Sequence, residues 1–171
     1  NRMPVTLRHM YNSALAVHQY TRNSNIQLNT ADFSAMKIGN GWKLNVMQSI
    51  KAHTFKHEGV EYSGYVFIDE TGAETYFKRS EKQDWNEERA VCYYLYESID
   101  DSTTLYDPYK KELANGSETK LFDSAGRLIK ITDEFGNHMD ITFTSGRITS
   151  VTDGAGRDFG FAYDASNHLT S

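Results

Sequence analysis

One segment of the chain recurs with a period of 20 residues. The run 123–136, DSAGRLIKITDEFG, is followed at 144–156 by TSGRITSVTDGAG, and a third copy begins at Asp164. Gly126 and Gly146 occupy the same place in their copies and define the period. Twenty residues hold one β-hairpin and its turns but cannot bury a core alone, so each unit must stack on its neighbours. The sequence therefore predicts a repeat protein whose third copy is incomplete.

The copies share turn positions and core positions. Each turn follows the pattern Asp-x-x-Gly, in which the aspartate folds back on its own backbone and the glycine accepts a positive φ. The predicted turn residues of the repeats are Asp123, Gly126, Asp133, Gly136, Asp153 and Gly156. Apolar residues that align 20 positions apart predict the repeat core, which consists of Met139, Ile141, Phe143, Phe159, Phe161 and Tyr163.

The strands between these turns have an unusual apolar spacing. Leu128 and Ile131 are three residues apart, as are Ile148 and Val151. Residues at this spacing point to opposite faces of a regular strand. Either both faces of the sheet are covered, or a β-bulge returns the second residue to the face of the first.

The first half of the chain also has strand patterns. Alternation predicts a strand in residues 1–12 whose apolar face is formed by Val5, Leu7, His9 and Tyr11. After a turn at 39–41, a second strand is predicted with one face formed by Trp42, Leu44 and Val46. Two strands, 61–68 and 74–78, flank the turn Asp69–Gly72, and another strand covers 91–96. Between them, the charged stretch 79–90 predicts an exposed loop or a short helix.

These patterns predict an all-β fold. Aromatic residues make up 13% of the chain, which favours strands. The predicted architecture is a set of antiparallel β-hairpins stacked into a curved or spiralling open sheet. Residues 1–117 are predicted to form a β-rich segment that precedes the repeats, and 118–171 are predicted to form the repeats themselves.

Composition excludes several classes of function. A net charge of −5, with 23 acids against 18 lysines and arginines, argues against binding to nucleic acid or to an anionic membrane surface. No apolar run approaches the roughly 18 residues that a membrane span needs. The single cysteine, Cys92, indicates a buried thiol rather than a disulfide framework. The chain begins at Asn1 without a signal segment, so we expect it to be a piece of a longer protein.

The sequence contains no arrangement typical of an enzyme. It lacks a Gly-x-Ser-x-Gly elbow and a phosphate-binding loop. His53 and His57 would lie roughly 13 Å apart on a strand, which is too far for one metal ion. Asp133 and Asp153 could bind calcium but are better explained as turn caps. We therefore predict a protein without catalytic residues, cofactor or metal.

Two sets of side chains have binding potential. Arg127, Arg147 and His168 occupy one repeat position and could bind an acidic sugar, although ion pairs with Asp133 and Asp153 explain them more simply. Exposed tyrosines can stack on the apolar faces of sugar rings, and core packing explains the same residues equally well. The candidate carbohydrate-binding residues are Tyr93, Tyr94, Tyr96, Tyr106 and Tyr109.

The repeat pattern resembles a known family. Residues 126–136 read Gly-Arg-Leu-x-x-Ile-Thr-Asp-x-x-Gly, and the aromatic-Asp pairs at 122–123 and 163–164 complete the motif. This motif resembles the YD repeat of the Rhs (rearrangement hotspot) and teneurin-like superfamily. Residues 4–7, 11–13 and 39–45 are similar to the segment that precedes YD repeats in large bacterial wall-associated and Rhs proteins.

The resemblance implies a function and a location. It implies a non-enzymatic structural or interaction segment of a larger bacterial protein that is secreted or exposed at the cell surface or cell wall. Its partners would be the flanking repeats of the same polypeptide and a carbohydrate or another cell-surface molecule. One alternative is a carbohydrate-binding module, and another is part of the encapsulating shell of a polymorphic toxin.

The incomplete third copy leads to an expectation about association. With no hairpin beyond it, the segment 159–163 should be an edge strand with unpaired backbone groups. We expect such an edge to pair with a second molecule.

Overall fold

The computed structural model describes residues 3–13, 33, 35–39, 41–57, 60–78, 84–85, 94–97, 111–114, 118–123 and 125–171. The described elements are thirteen β-strands. They are β1 (His9–Tyr11), β2 (Trp42–Leu44), β3 (Ser49–His57), β4 (Val60–Ile68), β5 (Glu74–Lys78), β6 (Asp84–Trp85), β7 (Tyr94–Glu97), β8 (Lys111–Ala114), β9 (Glu118–Phe122), β10 (Leu128–Asp133), β11 (His138–Thr144), β12 (Arg147–Thr152) and β13 (Asp158–Gly160).

The strands form three antiparallel sheets. β1 and β2 form a two-stranded ribbon, and β3, β4 and β5 form a three-stranded sheet. The remaining eight strands, from β6 to β13, lie side by side in the order of the sequence. Each strand in the larger sheets therefore pairs with its neighbour in the chain. The predicted all-β, antiparallel character is confirmed.

Bulges explain the three-residue spacing of apolar residues in the repeats. The register of β10 against β9 shifts between Leu128 and Lys130, so Ile129 is the extra residue. In the next hairpin the pairing moves from Ile148 to Ser150, which leaves Thr149 as the extra residue, 20 positions later. The bulges bring Leu128, Ile131, Ile148 and Val151 to the buried side of the sheet.

One hydrophobic core joins the two halves of the chain. It contains Phe33, Met36, Leu44, Val46, Met47, Ile50, Tyr65 and Phe67 from the first half, and Phe122, Leu128, Ile131, Met139, Ile141, Ile148 and Val151 from the second. Backbone hydrogen bonds accompany the packing: the Ile50 N–H donates to the Gly126 oxygen at 2.8 Å, and the Leu128 N–H donates to the Gln48 oxygen at 3.0 Å. The boundary that the sequence suggested at 117/118 falls between β8 and β9, which pair with each other.

The first two predicted strands require correction. Met3, Val5 and Leu7 pack against the core, but His9 and Tyr11 are exposed, so the predicted apolar face does not continue along the strand. Leu44 and Val46 are buried whereas Trp42 is exposed, and a turn at 45–46 separates β2 from β3. The alternation was real, but the outer face of the ribbon β1–β2 is not covered by the core.

The residues of the predicted repeat core lie at different depths in the structure. Met139 and Ile141 are buried, and Phe143, Phe161 and Tyr163 are partly buried against the core. Phe159 is 37% exposed. The reason is its place on β13, the last strand in the order of the eight-stranded sheet, which has a neighbour on one side within that sheet.

The third copy folds back on the end of the sheet. Tyr163 and Leu169 form an isolated antiparallel bridge, and the Ala162 N–H donates to the Ser171 oxygen at 2.7 Å. His168 forms a parallel bridge with Lys37. Part of the edge predicted over 159–163 is therefore covered by the last residues of the chain. The described part of this edge that has no further strand beside it in the sheet is β13. In the charged stretch 79–90, the described residues Asp84–Trp85 form the short strand β6 rather than a loop or helix.

Candidate functional site

Five turns of the chain are built in the same way. Each begins with an aspartate whose Oδ1 accepts hydrogen bonds from the backbone N–H groups two and four residues later, at 2.8–3.0 Å. The first residues of these turns are Asp69, Asp123, Asp133, Asp153 and Asp164. The fourth residue has a positive φ in every case, and these residues are Gly72, Gly126, Gly136, Gly156 and Asn167.

The sequence pattern did not reveal the fifth turn. Asn167 takes the place of glycine there, with φ 67°. Asparagine adopts the left-handed region more readily than most other residues, so a pattern that allowed Asn beside Gly would have found this turn.

The fifth residue of four turns returns its side chain to the same aspartate. The Oδ2 atom accepts from Arg127 Nε at 2.8 Å, from Asn137 Nδ2 at 2.8 Å and from Arg157 Nε at 2.7 Å in their respective turns, and His168 Nδ1 lies 3.0 Å from Asp164 Oδ2. In the first turn this place is held by Ala73, which has no polar side chain. In these four turns the carboxylate therefore locks the turn through both oxygens.

The predicted ion pairs of the repeat arginines are wrong. Arg127 pairs with Asp123 of its own turn, with Nη2 and Oδ2 2.7 Å apart, rather than with Asp133. Arg147 Nη1 donates to Asn167 Oδ1 at 2.8 Å rather than to Asp153. The aspartate that begins a turn lies four residues before its partner and is held in place by the turn backbone, so the pair within a turn forms without help from a neighbouring copy.

In three of the turns, hydrogen bonds lower the pKa of the aspartate. The side-chain amide of Asn137 is the main cause that lowers the pKa of Asp133 below its usual value. Backbone N–H donors are the main cause of the lowered pKa of Asp153 and Asp164, and burial opposes the shift in all three. A carboxylate occupied in this way stabilises a turn, whereas a general acid or base needs a pKa near the working pH.

Arginine side chains stack on aromatic rings at the same interval. The Arg127 guanidinium carbon lies 4.5 Å from the centre of the Phe143 ring, and that of Arg147 lies 5.4 Å from the centre of the Tyr163 ring. The two pairs are related by the 20-residue period. The Tyr163 hydroxyl also donates to the Ile148 oxygen at 2.9 Å.

The ribbon β1–β2 carries an exposed aromatic cluster. Tyr11 pairs with Trp42 across the ribbon, and their ring centres are 5.2 Å apart with an angle of 50° between the planes. His9 meets the Trp42 ring edge-on at 6.1 Å. Tyr11 is 56% exposed and Trp42 is 44% exposed. This cluster was not predicted, because alternation placed its residues on apolar strand faces.

A buried lysine lies on the other side of the same ribbon. Lys43 is 7% exposed, and its Nζ donates to the backbone oxygen of Asp69. Burial lowers the pKa of Lys43 to about 8, against the opposing effect of the Asp69 and Glu70 charges. Asn12 Nδ2 donates to the Thr71 oxygen at 2.9 Å, so two side chains attach the turn 69–73 to the ribbon.

Several predicted site residues fall outside the described part of the structure. Tyr94 and Tyr96 lie on β7, but their side chains are not described. The candidates Tyr93, Tyr106 and Tyr109 lie outside the described residues, as does Cys92. Where side chains are described, no group of three His, Cys, Asp or Glu residues is placed to hold a metal ion.

No protein-family model matches this chain. In the described part of the chain, there is no helix with the length and apolar character needed to cross a membrane.

Proposed function

We propose that this chain is a non-enzymatic structural and interaction segment of a larger bacterial YD-repeat protein of the Rhs and teneurin-like type. In this proposal, the hairpins of residues 118–171 stack as YD repeats, and the preceding residues pack across them. The larger protein is secreted or exposed at the cell surface. The direct partners of the segment are the flanking repeats of the same polypeptide.

The observation that carries the proposal is the repetition of local structure at the sequence period. The bulges at Ile129 and Thr149 and the arginine–ring stacks of Arg127 and Arg147 recur 20 residues apart. Turns that begin at Asp133 and Asp153 follow the same interval. Repeated hydrogen bonds of this kind support a modular scaffold, because each unit reproduces the surface on which the next can stack.

The chemistry of the turns supports a structural role. Their carboxylates accept hydrogen bonds from their own backbones and from the side chain four residues later, which maintains turn geometry. The buried face of the sheet is filled by aliphatic and aromatic side chains from both halves of the chain. These features stabilise a scaffold that can present loops and ribbons to a partner.

The stacking of repeats can be tested by adding a unit. A variant extended in register beyond Ser171 by 20 residues, with the sequence of residues 151–170, should have a higher free energy of unfolding and a higher urea midpoint than the original chain. A scrambled 20-residue extension of the same composition is the control. Equal midpoints for the two extensions would contradict the stacked-repeat proposal.

Surface exposure needs a separate experiment. Intact producing cells should be treated with a membrane-impermeant amine reagent, and the recovered protein should be examined for labelled lysines in this segment. Labelling only after lysis would contradict the proposed location.

A further inference from the structure

We propose that the open edge of β13 accepts one further antiparallel strand, formed by the residues that follow Ser171 in the larger protein. The register is fixed: the first of these residues is apolar and lies opposite Phe161, and the second lies opposite Gly160. This inference rests on the proposed function, which makes the flanking repeats the direct partners of the segment. It adds the edge, the register and the residue type through which the next repeat attaches.

The backbone around β13 alternates between β12 and the open edge. The Phe161 N–H donates to the Thr149 oxygen of β12 at 3.0 Å, whereas the next N–H, of Ala162, donates away from β12 to the last residue of the chain. Backbone groups of successive residues in a strand point to opposite sides. The N–H and C=O groups of Asp158 and Gly160 therefore point away from β12.

These outward groups are open to a further strand. In the described part of the chain, no backbone group pairs with the outward side of Asp158 or Gly160. Phe159 between them is 37% exposed, and a Cβ atom on Gly160 would have no neighbour within 4 Å. An edge with unpaired N–H and C=O groups is a template on which an extended segment can pair.

The last residues of the chain already form the start of such a strand. Leu169 pairs with Tyr163, and the N–H groups of Thr170 and Ser171 both donate to the Ala162 oxygen, at 2.9 and 3.5 Å. Two successive residues opposite one residue form a β-bulge, and Thr170 is the extra residue here. The Ala162 N–H donates back to the Ser171 oxygen at 2.7 Å. After the bulge, Ser171 is therefore paired with Ala162.

The two earlier hairpins have the same arrangement and continue beyond it. In all three hairpins an aromatic residue pairs with an aliphatic residue immediately before the bulge, and these pairs are Phe122–Leu128, Phe143–Ile148 and Tyr163–Leu169. Two positions after the extra residue, the earlier hairpins bury Ile131 and Val151. The equivalent position of the third hairpin is the first one after Ser171. It lies opposite Phe161, which packs against the core, and we therefore assign it an apolar residue.

The tail of the chain favours this occupant over a second copy of the protein. If β13 of two molecules paired antiparallel about Phe159, residues 156 and 157 of one molecule would lie opposite Ala162 and Phe161 of the other. The place beside Ala162 is already taken by Thr170 and Ser171. A second copy would therefore collide with the tail, whereas a polypeptide that continues from Ser171 enters the same edge in line.

The test adds four residues to the C-terminus of the whole chain. The extension Val-Thr-Val-Thr places its apolar side chains opposite Phe161 and Phe159, whereas the control Thr-Val-Thr-Val has the same composition and turns them to the other face. Amide hydrogen exchange at Asp158 and Gly160 is followed by NMR. In the original chain these N–H groups should exchange as exposed amides do. Val-Thr-Val-Thr should slow their exchange at least about tenfold relative to the control.

A proline variant connects this protection to the edge. Because the Gly160 N–H points away from β12, Gly160→Pro removes an outward donor without breaking a hydrogen bond to β12. In the chain extended by Val-Thr-Val-Thr, this variant should return Asp158 to fast exchange. In the original chain it should leave the urea midpoint almost unchanged. If the proline variant fails to fold, the comparison of the two extensions still tests the register.

Three results would overturn the inference. They are equal exchange in the two extensions, slow exchange at Asp158 in the extended Gly160→Pro variant, and exchange at Gly160 of the original chain that slows as protein concentration rises. The last result would assign the edge to a second copy. The stacked-repeat proposal would survive all three, because a 20-residue copy can raise stability from another register. Conversely, a 20-residue extension without effect on the urea midpoint would leave a protected edge in place.

Discussion

At the scale of single residues, equivalent positions in the repeated turns have different surroundings. Gly126 and Gly156 have nearly the same φ, 78° and 77°, at the same position of the same turn. A Cβ atom on Gly126 would lie 2.0 Å from the Ile50 backbone oxygen, whereas a Cβ atom on Gly156 would have no neighbour within 4 Å. Gly156 is therefore a matched control for Gly126, because it has the same backbone conformation without a neighbouring backbone segment.

Gly126→Ala is expected to be much more destabilising than Gly156→Ala. Both variants place a side chain at positive φ, which costs about 1–2 kcal/mol. Gly126→Ala must also separate the turn from Ile50 and break the hydrogen bond between them, so we expect a total loss of at least about 3 kcal/mol. Urea unfolding of the two variants measures the difference. Similar losses would show that Ile50 does not approach the turn so closely.

Lys43→Met is expected to stabilise the protein at neutral pH. The unfolded chain binds a proton at Lys43 with the ordinary pKa of 10.5, whereas burial lowers the pKa in the fold to about 8. At pH 7 the fold therefore carries a penalty of up to about 3 kcal/mol for a buried charge, and methionine removes it. The Asp69 oxygen keeps a donor in the Gly72 N–H.

The contribution of Lys43 to stability changes with pH in a defined direction. Between pH 8 and 10.5 the unfolded state binds more protons at Lys43 than the fold, so stability from this group rises with pH. The gain from Lys43→Met should shrink across that window. Lys37→Met, at an exposed side chain, is the control. A loss of stability in Lys43→Met at pH 7 would mean that its bond to Asp69 outweighs the burial of charge.

At the scale of elements, three hairpin turns are expected to contribute to the response of the fold to acid. Hydrogen bonds lower the pKa values of Asp133, Asp153 and Asp164 below the ordinary value of 3.8. Stability from these groups is complete above pH 3.8 and is lost as pH falls through the lower pKa values of the fold. We expect the melting temperature to fall over this range.

A variant with alanine at all three positions tests whether these carboxylates cause the acid response. Its melting temperature should be lower than that of the original chain at about pH 6 and should depend less on pH in the acid range. An identical acid response in the triple variant would assign the effect to other carboxylates.

Because the two bulged strands are equivalent, alanine substitutions at their equivalent core positions should reduce the free energy of unfolding by similar amounts. Leu128 and Ile148 are both fully buried immediately before a bulge. Replacement of either by alanine should cost about 2–5 kcal/mol, because each leaves a cavity of similar size. Phe159→Ala should cost clearly less, since Phe159 lies on an outer strand. Urea melts of the three variants measure these losses. A loss for Phe159→Ala as large as for the other two variants would contradict the prediction.

The repeated elements could be predicted because their sequence signals are local. The packing between distant segments could not be predicted from the sequence. The Asp-x-x-Gly turns are a local signal that predicted the hairpins. The three-residue spacing of Leu128 and Ile131 is also local, and a β-bulge was one of its two explanations. The position of Trp42 was not predictable, because alternation shows which residues share a face but not which face is covered. The partner of Arg127 was also missed, because the pair lies within one turn and not between copies.

At the scale of the whole molecule, the first half of the chain completes the core of the second. Met36 packs beneath β12, where its sulfur accepts a weak hydrogen bond from the Ile148 N–H and lies 3.1 Å from the Tyr163 hydroxyl oxygen. The Gly154 N–H donates to the Met3 oxygen at 3.1 Å. The boundary suggested at 117/118 reflected a change in sequence pattern, which contains no information about contacts between distant segments.

Residues 118–171 alone are therefore expected not to fold cooperatively. Their buried face packs on residues of the segment 33–67, and an isolated copy of the repeats would expose this face to water. Circular dichroism of the 118–171 peptide should show no sigmoidal thermal transition, whereas the full chain should show one. A sharp transition in the peptide would establish the repeats as an independent domain.

The contact between Gly126 and Ile50 also limits how such a gene can change by recombination. Tandem copies are prone to gain or lose a unit through unequal crossing-over, which leaves the reading frame intact. After such an event a different turn faces Ile50. The Gly146 turn also lacks a Cβ atom at its position of positive φ, whereas the last turn has Asn167, whose side chain would meet the Ile50 oxygen. Copies that look interchangeable in the sequence are therefore not equally able to occupy the place beside the first half of the chain.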